Sequence, residues 1–404
     1  MYLTQFALSL QTKTKNKQAM YNFDKSIDRR NSNSYKWDGT DDSNMIPMWV
    51  ADMDFQTAPA IIDTLRKRVE HGVFGYTRVP DGYYEAIVSW FQHRHGWTID
   101  KSSILYTTGV VPAVSVAIKA MTNPGDGVIL HTTAYNCFFS SIRNNGCKLV
   151  ESRLKNDNGR FTMDYDNLEE LCRDDNNKVM LLCNPHNPTG RLWSRDELQR
   201  IADICHRNNV AIISDEIHCE LTYGGNRYVP FGTVDSTAVV LCSPSKAFNI
   251  AGLQIANIIC SDETLRNRID RAININEVCD VNPFGVLALI AAYNDSEDWL
   301  DALCQYIWEN YKALCKFFAE NLPQIKITPL EATYLVWADC SSLGIKSNEL
   351  EKRLEQEGKV KLSGGTLYGD AGEGFMRINI ACPRERMMEG LRRMAKVLKM
   401  KSEE

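Results

Sequence analysis

From about Leu105 to Ile259, short runs that are apolar at every position alternate with stretches that are apolar on one side only. Val128 to His131, Lys148 to Val150, Val179 to Cys183, Val210 to Asp215 and Ala238 to Cys242 read as strands. Ala113 to Met121, Tyr135 to Asn144 and Ser194 to Asn208 read as helices, the second with Phe138, Phe139 and Ile142 on one side. Ser194 stands three residues before Glu197, the spacing of a capping box. Strands that are apolar throughout, separated by helices, predict an α/β fold whose mainly parallel sheet is covered on both faces. Ligands of such sheets bind beyond the carboxyl ends of the strands.

After Tyr293 the pattern changes. Asp295, Ser296 and Glu297 are expected to cap a long helix, Asp298 to Asn321, with Trp299, Leu300, Leu303, Ile307, Tyr311, Leu314 and Phe318 on its buried face. A strand (Tyr334 to Trp337), a helix (Ser347 to Glu357), a Gly-rich loop (Gly364 to Gly374), a strand (Phe375 to Ile380) and a last helix (Glu385 to Lys399) follow. These make a smaller α+β domain over residues 296–404, beside a large domain over 61–295. Residues 20–60 are rich in turns and are expected to pack with the small domain. Met20 and the residues after it read as a natural start, so residues 1–19 are expected to be a disordered extension.

With 404 residues, 44% of them hydrophobic, the chain can build two substantial cores. A net charge of -5 gives no reason to expect nucleic acid or an anionic membrane as partner. No apolar run reaches the ~18 residues that would read as a membrane-spanning helix. The 13 cysteines lie in apolar stretches and form no CxxC pair, so buried free thiols in a reducing cytoplasm are expected, and no metal.

Candidate chemistry sits where the strands end. Lys246 follows the strand ending at Cys242, between the hydroxyls of Ser243 and Ser245 and a small apolar patch, Ile250 to Leu253. A lone loop lysine is ordinarily just solvated. Here two further strand ends supply matching groups for a Schiff base to an aldehyde cofactor. Asp215 ends the preceding strand; alone it would read as a helix cap, but it can also face a pyridine nitrogen. Asn187 lies in the turn Asn184 to Gly190, where two prolines aim its amide rigidly. Thr107 to Pro112 places Gly109 at a helix N-terminus, either a plain turn or a phosphate cradle. Tyr135 opens a helix at another strand end and reads as core or as a ring stacked on a cofactor. Arg377 shares a strand face with Phe375 and Asn379, opposite Met376, Ile378 and Ile380, and can grip a carboxylate with two bonds.

Together these segments resemble the fold-type I pyridoxal-phosphate enzymes, the aspartate-aminotransferase-like superfamily, from about Tyr21 to Leu398. The likeness is tighter with the cystathionine β-lyases of the MalY/PatB type, the C-S lyases. It is carried by Pro47 to Phe55, Glu70 to Tyr76, Asn184 to Arg191, Ser214 to His218, Ser243 to Gln254 and Arg377 to Arg384. General aminotransferases share the asparagine, aspartate, lysine and arginine, but not usually the Trp49 to Phe55 string or the His186/His218 pair.

The resemblance implies roles. Lys246 would hold the cofactor and then shuttle protons, Asp215 would pair with the pyridine nitrogen, and Asn187 would bind the phenolic oxygen and the substrate. Tyr135 would stack on the ring, with His218 beside the phenolic oxygen. Gly109, Val110, Val111, Ser243 and Ser245 would hold the phosphate, helped by Tyr76 from the second subunit of a homodimer. Arg377 would bind the α-carboxylate of a small amino-acid substrate, with Asn187, Val50 and Tyr76 nearby. Many relatives carry a phosphate-binding arginine eight residues after the lysine; Gln254 stands there instead. The implied reaction is β-elimination from L-cystathionine or a related L-cysteine S-conjugate, giving a thiol, pyruvate and ammonia. The rivals are an aminotransferase and, more remotely, a non-catalytic regulatory module on the same fold.

Overall fold

The computed structural model describes residues 21–399 apart from 276, 278 and 279; the expected extension, residues 1–19, lies outside them. A two-residue strand, β1 (Ile46–Pro47), precedes two helices, α1 (Pro59–His71) and α2 (Asp81–His95). A seven-stranded sheet follows: β2 (Ile104–Thr107), β3 (Gly127–Thr132), β4 (Lys148–Arg153), β5 (Asn177–Cys183), β6 (Ala211–Asp215), β7 (Val239–Cys242) and β8 (Ala256–Ile259). Its spatial order is β2-β8-β7-β6-β5-β3-β4. All neighbours are parallel except β8, which runs antiparallel to both β2 and β7.

Helices α3 (Val110–Met121), α4 (Asn136–Asn144), α5 (Tyr165–Cys172) and α6 (Arg195–Arg207) connect strands of this sheet, and α7 (Glu263–Asn274) and α8 (Pro283–Asp295) follow it. The unbroken apolar runs have a direct cause. Val179 and Leu181 of β5 join one core with Val114 and Ile118 of α3, while Met180 and Leu182 join the opposite core with Leu198 and Ile201 of α6. Each such fully buried side chain contributes roughly 1.5–3 kcal/mol. Helix α6 starts as predicted: Ser194 accepts from Glu197 N, and the Glu197 side chain accepts from Ser194 N. Helix α3 starts at Val110, earlier than the expected Ala113, because Pro112 falls in the first turn, where a missing N–H costs nothing.

The long helix α9 (Glu297–Asn321) has Ser296 at its N-cap position, but no side chain caps it. The Ser296 hydroxyl donates instead to Ala291 O at the end of α8, correcting the expected cap. Beyond it lie β9 (Lys326–Ile327), β10 (Leu335–Asp339), α10 (Ser347–Gln356), β11 (Val360–Lys361), β12 (Ser363–Gly364), β13 (Phe375–Asn379) and α11 (Arg384–Lys399). A four-stranded antiparallel sheet has the order β9-β10-β13-β12. β1 and β11 form a separate parallel pair, Ile46 opposite Val360, and Asn379 N of β13 donates to Met48 O, which ties the N-terminal segment to the second sheet. Residues 48–55 then form a strap from the second sheet to the first. At its near end Met48 N donates to Lys361 O; at its far end Asn249 holds Met53 and Phe55. The twelve described cysteines are free thiols, nine of them buried.

Candidate active site

Strands β5, β6 and β7 are adjacent and parallel, so their carboxyl ends open on the same edge of the sheet. Asn187 follows β5, Asp215 ends β6 and Lys246 follows β7. All three line one cavity of about 210 Å³. Gly109, Val110, Val111, Tyr135, His218 and Ser245 share its wall, as do Ala51, Pro112, Phe138, Cys183, Ile217 and Ala251, which were not among the predicted site residues. Gly109 is the N-cap of α3 and no side chain caps the helix, so the first amides of this cavity-lining turn have no partner within the helix.

Electrostatics in the cavity are unresolved within the chain. Burial lifts the Asp215 carboxyl to about 7, and one bond from Ile217 N at 3.0 Å, with the charge of Lys246, only partly offsets it. Burial and then the Arg377 charge lower the Lys246 amine to about 8, against Asp52, Asp215 and Cys137. Burial, Lys246 and Arg377 hold His218 well below the usual imidazole range, and its Nδ1 has no hydrogen-bond partner. Tyr135, the residue before α4, has its phenol raised by burial and then by a hydrogen bond with Cys137.

Arg377 is buried on β13, so it is no surface ion pair. Its Nη1 donates to Asn187 Oδ1 at 3.1 Å, which turns the Asn187 amide NH2 free to donate elsewhere. Its Nη2 donates to Trp49 O at 2.7 Å, and its Nε is buried without a partner. The guanidinium lies over the Tyr368 ring, 4.8 Å from its centre.

Four sequence-predicted residues are not on the wall, Arg377 among them, which meets it only through Asn187. Ser243 sits one layer behind: its hydroxyl donates to Ile255 O and accepts from Ser245 N, so it orients Ser245. Val50 is half-buried in the strap and offers its carbonyl to Asn379. Tyr76 is 97% exposed, on a stretch without regular structure after α1. Gln254 is also absent from the wall, and Lys246 is the only lysine or arginine among the described lining residues. Sequence reasoning missed Ala51, whose carbonyl accepts from Lys246 Nζ at 2.6 Å. The signal was the Trp49 to Phe55 string, noted as a mark of resemblance without a physical role.

These residues fit the pyridoxal phosphate that the sequence leads one to expect. The cavity supplies a buried amine for an aldehyde, a buried carboxylic acid with capacity for a ring N–H, and helix amides with the Ser245 hydroxyl for a phosphate.

The aminotransferase class I and II family matches residues 43–394. The cystathionine beta-lyase PatB of Bacillus subtilis strain 168 is 39% identical over 93% of this chain and 100% of its own length. The protein MalY of Escherichia coli K12 is 35% identical over 92% of this chain and 97% of its own. Among solved structures, the PLP-bound C-S lyase from Staphylococcus hominis superposes with a TM-score of 0.89 at 35% identity, covering 94% of this chain and 98% of that one.

Proposed function

The chain belongs to the aminotransferase class I and II family, and within it we propose a pyridoxal-phosphate-dependent carbon–sulfur lyase acting on L-cystathionine or related L-cysteine S-conjugates. The observation that carries the reading is the convergence of Lys246, Asp215 and Asn187 on one cavity with Arg377 bonded to Asn187. The lyase names of relatives at 39% and 35% identity favour elimination over transamination, since the local residues serve both. The near-complete set of catalytic groups speaks against a purely regulatory module.

Lys246 would hold the cofactor, Asp215 would face its ring nitrogen and Tyr135 would stack on it. His218 would lie beside its phenolic oxygen. Gly109, Val110, Val111 and Ser245 would hold its phosphate, with Ser243 fixing Ser245. Bound pyridoxal phosphate supplies an electron sink for charge that develops at the substrate α-carbon. The chain does the rest. Arg377 binds the α-carboxylate with two parallel bonds, and the Asn187 amide orients it. Lys246, with an amine lowered to about 8, is neutral often enough near pH 7–8 to take the proton from Cα. The β-sulfur departs as a thiol, and the remaining carbon skeleton hydrolyses to pyruvate and ammonia.

The active unit is a homodimer in this reading, with Tyr76 and Val50 completing the site. Support comes from the exposure of Tyr76 together with its exposed neighbours Val69, Val73 and Phe74. The free thiols support a reducing compartment, the cytoplasm. No helix among the described residues is long and apolar enough to cross a membrane.

Incubation with L-cystathionine should release pyruvate, and Lys246→Ala should abolish both turnover and the covalent cofactor absorbance. Amino-acid formation from an added keto acid, without pyruvate, would make it an aminotransferase instead. Full activity of a stable monomer would refute the shared site.

A further inference from the structure

The strap from Trp49 to Asp52 presents four successive carbonyls, and side chains around the cavity hold every one. Trp49 O accepts from Arg377 Nη2 at 2.7 Å. Val50 O and Asp52 O both accept from Asn379 Nδ2, at 2.5 and 2.7 Å. Ala51 O accepts from Tyr334 OH at 2.8 Å and from Lys246 Nζ at 2.6 Å. Asn379 is buried, two residues beyond Arg377 on the same face of β13, and its Oδ1 accepts from Ala381 N. Its amide is therefore spent on the strap and on its own strand.

These contacts meet the substrate at two points. An α-carboxylate that binds Arg377 arrives beside the strap, because Nη1 and Nη2 each spend one of two N–H groups on Asn187 Oδ1 and Trp49 O while Nε is unpartnered. An amino group that displaces Lys246 from the cofactor frees an amine whose nearest acceptor is Ala51 O. Apart from Arg377, Asn379 grips Val50 O and Asp52 O and Tyr334 grips Ala51 O, between the outer anchors at Met48, Met53 and Phe55.

Resting on the lyase reading above, we propose that Asn379 and Tyr334 are positioning residues for proton transfer: they hold the strap so that Ala51 O keeps the freed Lys246 amine aimed while the substrate carboxylate sits on Arg377. The groups whose charge acts on Lys246 are Arg377, Asp52, Asp215 and Cys137, with His218 facing it; Asn379 carries no charge, and the Tyr334 phenol, which shares the Ala51 acceptor, is kept neutral by burial. A change in proton transfer on altering Asn379 or Tyr334 is then a change of position rather than of charge.

The test uses the loaded dimer with Asn379→Ala and Tyr334→Phe. The second removes one hydroxyl and leaves a buried ring, so it keeps the test open if the first fails to fold. Turnover number should fall by about tenfold to a hundredfold in Asn379→Ala and by roughly threefold to tenfold in Tyr334→Phe. KM should stay within about twofold. The isotope effect with α-deuterated substrate should rise in both, which a loss of general stability would not produce. Independently of turnover, Lys246 in the cofactor-free protein should react faster with an acylating reagent near pH 7 in both variants, read by peptide mass spectrometry. An amine that leaves its carbonyl acceptor is less firmly protonated. A raised KM with unchanged turnover number, or an unchanged isotope effect and labelling rate in folded variants, would overturn the proposal. Wild-type protein that takes up no cofactor would instead defeat the lyase reading and leave the labelling comparison intact.

Discussion

Asp215 and Asp54 are both buried aspartates, and the chain treats them in opposite ways. Around Asp54, burial alone would push the carboxyl up, but Lys36, the Trp37 indole N–H, Arg386 and Arg29 outweigh it and hold it below the usual carboxylate range. Lys36 Nζ lies 3.1 Å and Arg29 Nη1 2.9 Å from Asp54 Oδ1, and Arg386 Nη1 lies 3.2 Å from Oδ2. Asp215 has one backbone N–H and the charge of Lys246 without a bond to it, and burial wins. The first region is complete as folded and anchors the strap. The second is left short of a cation, which is the signature of a place built for something else. A buried charge informs about function when its compensation is missing.

That contrast can be broken most severely at Asp54. Asp54→Asn should cost about 3 kcal/mol in urea unfolding, because it takes the buried carboxylate from Arg29, Arg386 and Lys36 and leaves Lys36 only Asp52, 3.4 Å away. Asp215→Asn should leave the fold standing but lower turnover on the order of a hundredfold, measured on L-cystathionine at saturating cofactor. In the cofactor-free protein the same Asp215→Asn change should be stabilising, and the pH dependence sharpens the case. The folded carboxyl is raised from 3.8 to about 7. Below pH 4 both states are protonated and Asp215 does no harm. Between pH 4 and 7 the unfolded chain gives up its proton first, so wild-type stability is lost as pH rises. The advantage of Asp215→Asn should therefore be absent near pH 4, grow through that window and level off above about pH 7. A flat difference, or a wild type more stable than the variant at pH 7.5, would refute an uncompensated Asp215. The smallest change is a control away from both regions: Ser194→Ala should cost about 1 kcal/mol through the lost cap and leave both aspartates untouched.

The same contrast explains what the sequence disclosed. Lys246, Asp215 and Asn187 each follow an apolar strand within a few residues, so local pattern and the rule for parallel sheets placed them together before any coordinates. The capping box of α6 was legible because its two partners are three residues apart. The strap was not. Its bonds join Trp49 to Arg377 and Val50 to Asn379, more than three hundred residues along the chain, and they end on carbonyls that every residue type possesses. No side-chain pattern announces a backbone acceptor, so Ala51 left no mark. Asn379 was visible on the right face of its strand, but nothing in the sequence said what it faced. Ser243 shows the converse: the residue type suited a phosphate, yet a hydroxyl beside Ile255 O is spent there first.

The sulfhydryl content described with the fold has a consequence for the proposed release of thiols. Thiolates attack sulfur–sulfur bonds, so a catalyst releasing thiols bathes in a reagent able to open any cross-link of its own. All twelve described cysteines are unbridged, and burial raises the pKa of Cys183, Cys219, Cys242, Cys304, Cys340 and Cys382. Among the described residues there is no bridge for the product to sever, and these six side chains are kept in their unreactive protonated form. The fold is thus suited to working in its own exhaust.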